Sequence, residues 1–338
     1  MVGSTVDGES DGAEVGRKVV AMADMRYRRL GNSGLVVSVV GLGCNNFGRK
    51  VHDAGTKLVV DAALDHGINL FDTADIYGDP QGSSESALGK ALRGRRDDVV
   101  IATKFGMDMH GMNGVDHDAR GSRRYVTRAV EASLRRLDTE YIDLYQLHRP
   151  DAATPIDETL AALDDLVRAG KVRYLGHSNF AGWQVADAAW TAETSHRTPF
   201  VSAQNEYSWL QRDVEVDVVP ACEHFGLGLL PFFPLASGLL TGKYGRGAAA
   251  PADGRLAGDR YASRLEAANW DAIEAIDAFA KTRALTMLDV AIGGLAAMPA
   301  VTSVIAGATK PEQVAANVAA GEWVPSAEDL VELREITA

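Results

Sequence analysis

Hydrophobic positions along this chain switch repeatedly between a spacing of two and a spacing near 3.6, which predicts strands alternating with helices. Within residues 27–38, two short β-like runs flank Gly31, Asn32, Ser33 and Gly34, a turn composition that predicts a hairpin able to plug one end of a barrel. Residues 36–42 read as a buried strand that enters a loop through Gly43, Cys44, Asn45, Asn46 and Phe47. Helices are then expected over 56–66, 85–92, 124–136, 156–169, 183–192, 214–224, 271–282 and 287–297. Strands are expected over 68–71, 99–103, 142–147, 172–176, 200–203, 227–230 and 301–305. Counted from Val36 these make eight strands interleaved with helices, which suits a closed α/β barrel, (β/α)8, with an N-terminal β-hairpin. A doubly wound sheet would usually carry Gly-x-Gly-x-x-Gly after its first strand, and none is present.

Composition narrows the partners. With 338 residues, 46% of them hydrophobic, the chain can bury a large core. Residues 1–24 are rich in Gly, Ser and acids and read as a flexible tail, leaving 25–338 as a single barrel domain. A net charge of −12 argues against nucleic acid or an anionic membrane and towards small molecules. Cys44 and Cys222 read as free thiols, and no apolar run approaches a membrane span, so a soluble cytoplasmic protein is expected. His110 and His117 lack ligand spacing, and no metal is expected.

Chemistry gathers at the predicted carboxyl ends of strands, where a parallel barrel carries its active site. Asp72 and Tyr77 follow the strand at 68–71, Lys104 ends the one at 99–103, and His148 follows the one at 142–147. Singly, each has an ordinary reading as a helix cap, loop aromatic, surface charge or core histidine. Jointly they assemble a proton-transfer group. A phenol is a weak acid, with a pKa of about 10. A neighbouring ammonium would lower that value, and a carboxylate could hold the ammonium in place.

The stretches GLGCNNFG, FDTADIYG, SESALGKAL, ATKFG, DLYQLHRPD, GKVRYLGHSNF, QNEYSWL, PLASGLLTGKY and GATKPEQVAANVAA occur in that order. The series resembles the aldo-keto reductases, in particular a bacterial branch that also resembles voltage-gated potassium-channel β subunits. The resemblance runs from about Tyr27 to Ala320. It implies reduction of a small-molecule aldehyde or ketone with a nicotinamide cofactor, with Asp72, Tyr77, Lys104 and His148 matching the catalytic four. It further implies that Ser178, Asn179 and Gln204 hold the nicotinamide carboxamide. Phe232 would stack on the ring where the family commonly has Tyr. Leu235, Ser237, Leu239 and Lys243 would fold over the pyrophosphate, and Gly307, Thr309, Lys310, Gln313 and Asn317 would bind from the last loop and its helix.

Two departures stand out. Members preferring NADP often place Arg where this chain has Gln313; Lys310 offers a point charge instead, so NADP is expected with NAD possible. Gly293 and Gly294 lie in a predicted helix where the family often has Trp and Leu. The substrate pocket is expected to be lined by Phe47, Tyr77, Trp209 and the loops at 108–120 and 245–260. A cofactor-binding regulatory subunit with little turnover is the rival reading, and a barrel aldolase or isomerase would leave the SN, Q and GATKPEQ segments without a role. Oligomeric state is not read from the sequence.

Overall fold

The computed structural model describes residues 25–252, 254, 256–257 and 262–338; the predicted tail at 1–24 and part of the loop at 245–260 lie outside the described residues. The chain opens with an antiparallel hairpin, β1 (Tyr27–Arg29) and β2 (Val36–Ser38). Eight parallel strands follow: β3 (Val40–Gly43), β4 (Leu70–Asp72), β5 (Val100–Phe105), β6 (Ile142–Leu147), β7 (Val172–Ser178), β8 (Phe200–Gln204), β9 (Gly228–Leu229) and β10 (Val304–Gly307). Their order is β10-β3-β4-β5-β6-β7-β8-β9. Hydrogen bonds from Leu229 N to Ala300 O (2.8 Å), Thr302 N to Leu229 O (2.9 Å) and Ile305 N to Pro231 O (2.9 Å) join the last neighbours and close the barrel. The run at 36–42 is therefore two strands, parted at Val39, where the chain leaves the hairpin for the barrel.

Around the strands lie α1 (Asp53–Asp65), α2 (Ser83–Ala91), α3 (Arg123–Leu137), α4 (Ile156–Arg168), α5 (Gly182–Thr194), α6 (Val218–Phe225), α7 (Ala262–Glu266), α8 (Trp270–Thr282), α9 (Met287–Asp289), α10 (Pro311–Ala320) and α11 (Ala327–Ile336). The helix expected over 214–224 is divided, because Asp217 adopts a non-helical φ of −136° and spends its carboxylate on the N–H of Gly182. Asp213–Glu215 forms a separate 3-10 turn before it. Among the described residues, no helix is long and apolar enough to cross a membrane.

Strand alternation divides the core. Leu70, Val100, Ala102, Leu144, Leu230 and Ile305 form one cluster with Leu30 and Val37 of the hairpin, so the hairpin plugs the amino-terminal end of the barrel. Phe71, Ile101, Phe105, Tyr145 and Leu147 occupy the larger cluster against the helices. The hairpin tip needs glycine at Gly31, which has φ +55° and approaches the 226–228 turn so closely that a Cβ would lie 2.3 Å from Gly226 O.

The paired glycines after α9 also have a packing reason. Val290–Gly294 forms a π turn, and a Cβ on Gly294 would meet Trp209 Nε1 at 2.9 Å. That indole donates to Val290 O (2.9 Å). Trp209 is thereby drawn into the core rather than to the substrate cavity, and Phe47 is likewise fully buried beside Val51.

Candidate active site

Two residues beyond the last apolar inward position on each of three strands, the barrel interior turns polar. On β4 the inward series runs Leu70, Asp72; on β5 it runs Val100, Ala102, Lys104; on β6 Gln146 follows Leu144. The register places Gly43 beside Asp72 and Lys104 beside Gln146. Lys104 Nζ donates to both oxygens of Asp72, at 2.8 and 2.6 Å, and to the carbonyl of Thr73 at 2.9 Å. Asp72 Oδ1 also accepts from Gln204 Nε2 (2.8 Å) and Gln146 Nε2 (3.3 Å). A buried ion pair is tolerable only when its remaining hydrogen-bonding capacity is met, and here two strand amides meet it.

Tyr77 and His148 complete the group at the cavity floor. Lys104 Nζ lies 5.1 Å from the centre of the Tyr77 ring, and the His148 imidazole stands edge-on to that ring at 5.8 Å. Burial pushes the Tyr77 phenol above its ordinary value while Lys104 pulls against it, so the phenol holds its proton at neutral pH. The Lys104 contribution thus has the expected sign, but burial outweighs it. Burial likewise works against the Lys104 ammonium, yet Asp72 and the phenol prevail and raise its pKa. His148 is held well below the usual histidine value by burial, then by Lys104 and Arg149. It is therefore neutral. Its Nδ1 is buried without a hydrogen-bond partner among the described residues, so the tautomer protonated on Nε2 buries a lone pair rather than an N–H and leaves a donor for the cavity.

Above this floor lies a cavity of about 500 Å³, lined by Asp72, Tyr77, His148, Ser178, Asn179, Gln204, Phe232, Leu235, Ser237, Lys243, Gly307, Thr309 and Gln313 among the residues expected there. Leu239 sits instead in the core, Asn317 is buried in α10, and Lys310 is exposed at the start of that helix; none of the three lines the cavity. From the two expected substrate loops, only Gly254 does so among the described residues. Lys50, Arg149 and Tyr244, none of them singled out by the sequence motifs, also line it, and Gln146 lies beneath.

The lining fits a nicotinamide dinucleotide. Ser178 Oγ donates to Gln204 O (2.7 Å) and accepts from Asn179 Nδ2 (2.9 Å), while Asn179 also donates to His148 O (3.0 Å). These bonds leave Asn179 Oδ1 and Gln204 Oε1 as acceptors with no partner among the described residues, as a carboxamide NH2 would need. Phe232 supplies a flat apolar face. Lys243 lines the same cavity as Thr309 and Gln313 at the amino end of α10, where backbone N–H groups favour phosphate. Gln313 there accepts from Thr309 N (2.7 Å) and Thr309 Oγ1 (3.1 Å), tying the loop to its helix.

Comparison with known proteins agrees with this architecture. The aldo/keto reductase family model matches residues 39–338. The chain is 35% identical over 310 residues to a probable voltage-gated potassium channel subunit beta of Arabidopsis thaliana, covering 89% of this chain and 92% of that protein. It is 44% identical over 225 residues to the uncharacterized oxidoreductase YrpG of Bacillus subtilis, covering 65% and 69% respectively. It is also 34% identical over 309 residues to the L-glyceraldehyde 3-phosphate reductase of Escherichia coli K12, covering 88% and 87%. By the extent of that model and of these relatives, the chain belongs to the aldo/keto reductase family.

Proposed function

We propose that this protein reduces an aldehyde or ketone to an alcohol at the expense of NAD(P)H, with Tyr77 as the general acid. The observation carrying the reading is the Lys104–Asp72 pair beneath the Tyr77 ring, with a neutral His148 edge-on beside it. Bound in the cavity, the cofactor supplies a hydride to the carbonyl carbon. Negative charge then grows on the oxygen, and the protein must meet it with a proton and with hydrogen bonds. Tyr77 gives the proton. Lys104 stabilises the phenolate left behind, and Asp72, fixed by Gln146 and Gln204, keeps the ammonium in place. His148 donates Nε2–H to the carbonyl oxygen and orients it. Ser178, Asn179, Gln204 and Phe232 hold the nicotinamide end; Leu235, Ser237, Lys243, Gly307, Thr309 and Gln313 hold the rest, and NADP is the preferred form with NAD accepted. Both cysteines are buried free thiols, which supports a cytoplasmic setting.

A second reading is a nicotinamide-binding regulatory subunit with little turnover. It is favoured by the relatives named channel β subunits, whose likeness spans 89% of this chain. One experiment separates the two. Protein fluorescence is titrated with NADPH, and NADPH consumption is then followed with a panel of aldehydes and ketones. Binding with multiple turnovers supports the reductase; binding without turnover of any carbonyl supports the subunit, and no binding removes both.

A further inference from the structure

We infer that the carbonyl substrate carries an anionic group, a phosphate or a carboxylate, received at the cavity mouth by Arg149 and Lys50; the inference rests on the carbonyl-reductase reading above. Among the described residues, the charged side chains lining the cavity are Lys50, Asp72, Arg149 and Lys243. Asp72 is already neutralised by Lys104. What remains is cationic, in a chain whose net charge is −12. Free cations on an open surface need no explanation, but these line a single cavity in which, among the described residues, no other carboxylate answers them.

Position divides the three. Lys243 follows the 3-10 turn Ala236–Thr241, in the segment assigned above to the cofactor's pyrophosphate. Lys50 and Arg149 instead sit on the loops after β3 and β6, either side of the strand ends that carry Tyr77 and Lys104. Their roots are fixed. Arg149 follows His148, whose N–H donates to Phe105 O (2.8 Å) and whose carbonyl accepts from Asn179 (3.0 Å). The Lys50 loop is closed by Gly48 N to Val51 O (2.8 Å) and bound to the Tyr77 turn by Asp79 N to Gly48 O (3.1 Å). Their heads are free: neither the guanidinium nor the ammonium has a hydrogen-bond or ion-pair partner among the described residues. Fixed roots with unpaired heads, lining the same cavity as the proton donor, suit an anion carried on the same molecule as the reacting carbonyl. The planar fork of Arg149 matches phosphate and carboxylate alike.

The test compares kcat/KM, with NADPH, for glyceraldehyde against glyceraldehyde 3-phosphate and for butyraldehyde against succinic semialdehyde. At least one anionic member is expected to exceed its neutral partner by about tenfold or more, as a hydrogen bond between charged groups allows. Which pair responds names the group. Arg149→Met should reduce that ratio about tenfold, Arg149→Lys should retain part of it, and 0.5 M salt, a condition of the assay, should erode it. Ratios at or below one in both pairs overturn the inference, as does a ratio that neither Arg149→Met nor Lys50→Met moves. Absence of turnover with all four aldehydes and both cofactors would overturn this inference, while the carbonyl-reductase reading itself falls only if the wider panel of aldehydes and ketones also fails. If a variant proves insoluble, the wild-type ratios and their salt dependence still decide the matter.

Discussion

Gln204, at the end of β8, reaches across the barrel to donate to Asp72, at the end of β4, at 2.8 Å. The same residue shares its backbone carbonyl with Ser178 and Asn179. One residue thus joins the carboxylate that positions Lys104, through its side chain, to the wall expected to hold the nicotinamide, through its backbone. Gln204→Leu should therefore weaken cofactor binding and catalysis together. Losing a hydrogen bond to a buried charge is worth about 1.5 to 3 kcal/mol. Parallel cofactor titrations and single-turnover rates would show whether both fall; a change confined to cofactor affinity would mean that the Asp72 contact is idle.

Removing the Tyr77 hydroxyl tests the acid itself. Tyr77→Phe keeps the ring and should cut carbonyl reduction by about 10² to 10⁴, the usual contribution of a positioned acid. NADPH affinity should remain close to normal. A turnover number near that of the wild type would assign the proton to another group.

Lys104 and Asp72 are fully buried partners, so each single substitution strands the other. Lys104→Met leaves a buried carboxylate held only by Gln146 and Gln204, and a loss of about 3 to 5 kcal/mol is expected. The double variant Asp72→Asn with Lys104→Met should lose less than the sum of the singles. Urea unfolding of all three variants measures this, and strict additivity would deny the coupling.

Acid sensitivity should come in part from His177. It is fully buried, stacks on Phe180 at 4.3 Å, meets Phe200 at 5.2 Å, and has no hydrogen-bond partner for either nitrogen among the described residues. Burial lowers its pKa from 6.5 to about 3. The folded value lies below the unfolded one, so as pH falls the unfolded chain takes up the proton first. Stability is complete above about pH 6.5 and is lost between there and about pH 3. Near pH 5 the loss from this group is about 2 kcal/mol, at about 1.4 kcal/mol per pH unit. His177→Phe should flatten the stability profile over pH 5 to 7 by about that amount, read from urea midpoints; a slope equal to that of the wild type would place the sensitivity elsewhere, for instance at His148.

The barrel was legible because its strands are short apolar runs between amphipathic helices, and the same period of two that buries Leu70 and Ala102 delivers Asp72 and Lys104 to the interior. Gln146 obeys this rule as well. It stands two residues after Leu144 in a strand whose next inward position is His148, and a polar residue inside DLYQL was the available signal. Trp209 was not legible in this way. Where an aromatic goes after a strand depends on space provided far along the chain, here by Gly294. Lys310 shows the same limit: its place in GATKPEQ is plain from the sequence, but whether a long side chain at a helix start turns inward is decided by the fold.

Cofactor preference gives the last expectation. Lys310 is exposed at the start of α10 and outside the cavity lining, while Gln313 lies within it and spends its amide oxygen on Thr309. If Lys310 serves a 2′-phosphate, it does so through solvent-exposed charge, where a single pair is worth about 1 kcal/mol or less. Wild type should then favour NADPH over NADH only modestly, and Lys310→Ala should reduce that preference by no more than about fivefold. Gln313→Arg offers a fork to the phosphate but removes the acceptor that Thr309 uses. Its gain for NADPH should therefore be accompanied by weaker binding of NADH, which feels only the loosened loop. Dissociation constants for both cofactors at low and moderate salt measure these effects. Equal losses of both cofactors in Lys310→Ala, or equal gains in Gln313→Arg, would place the 2′-phosphate away from the start of α10.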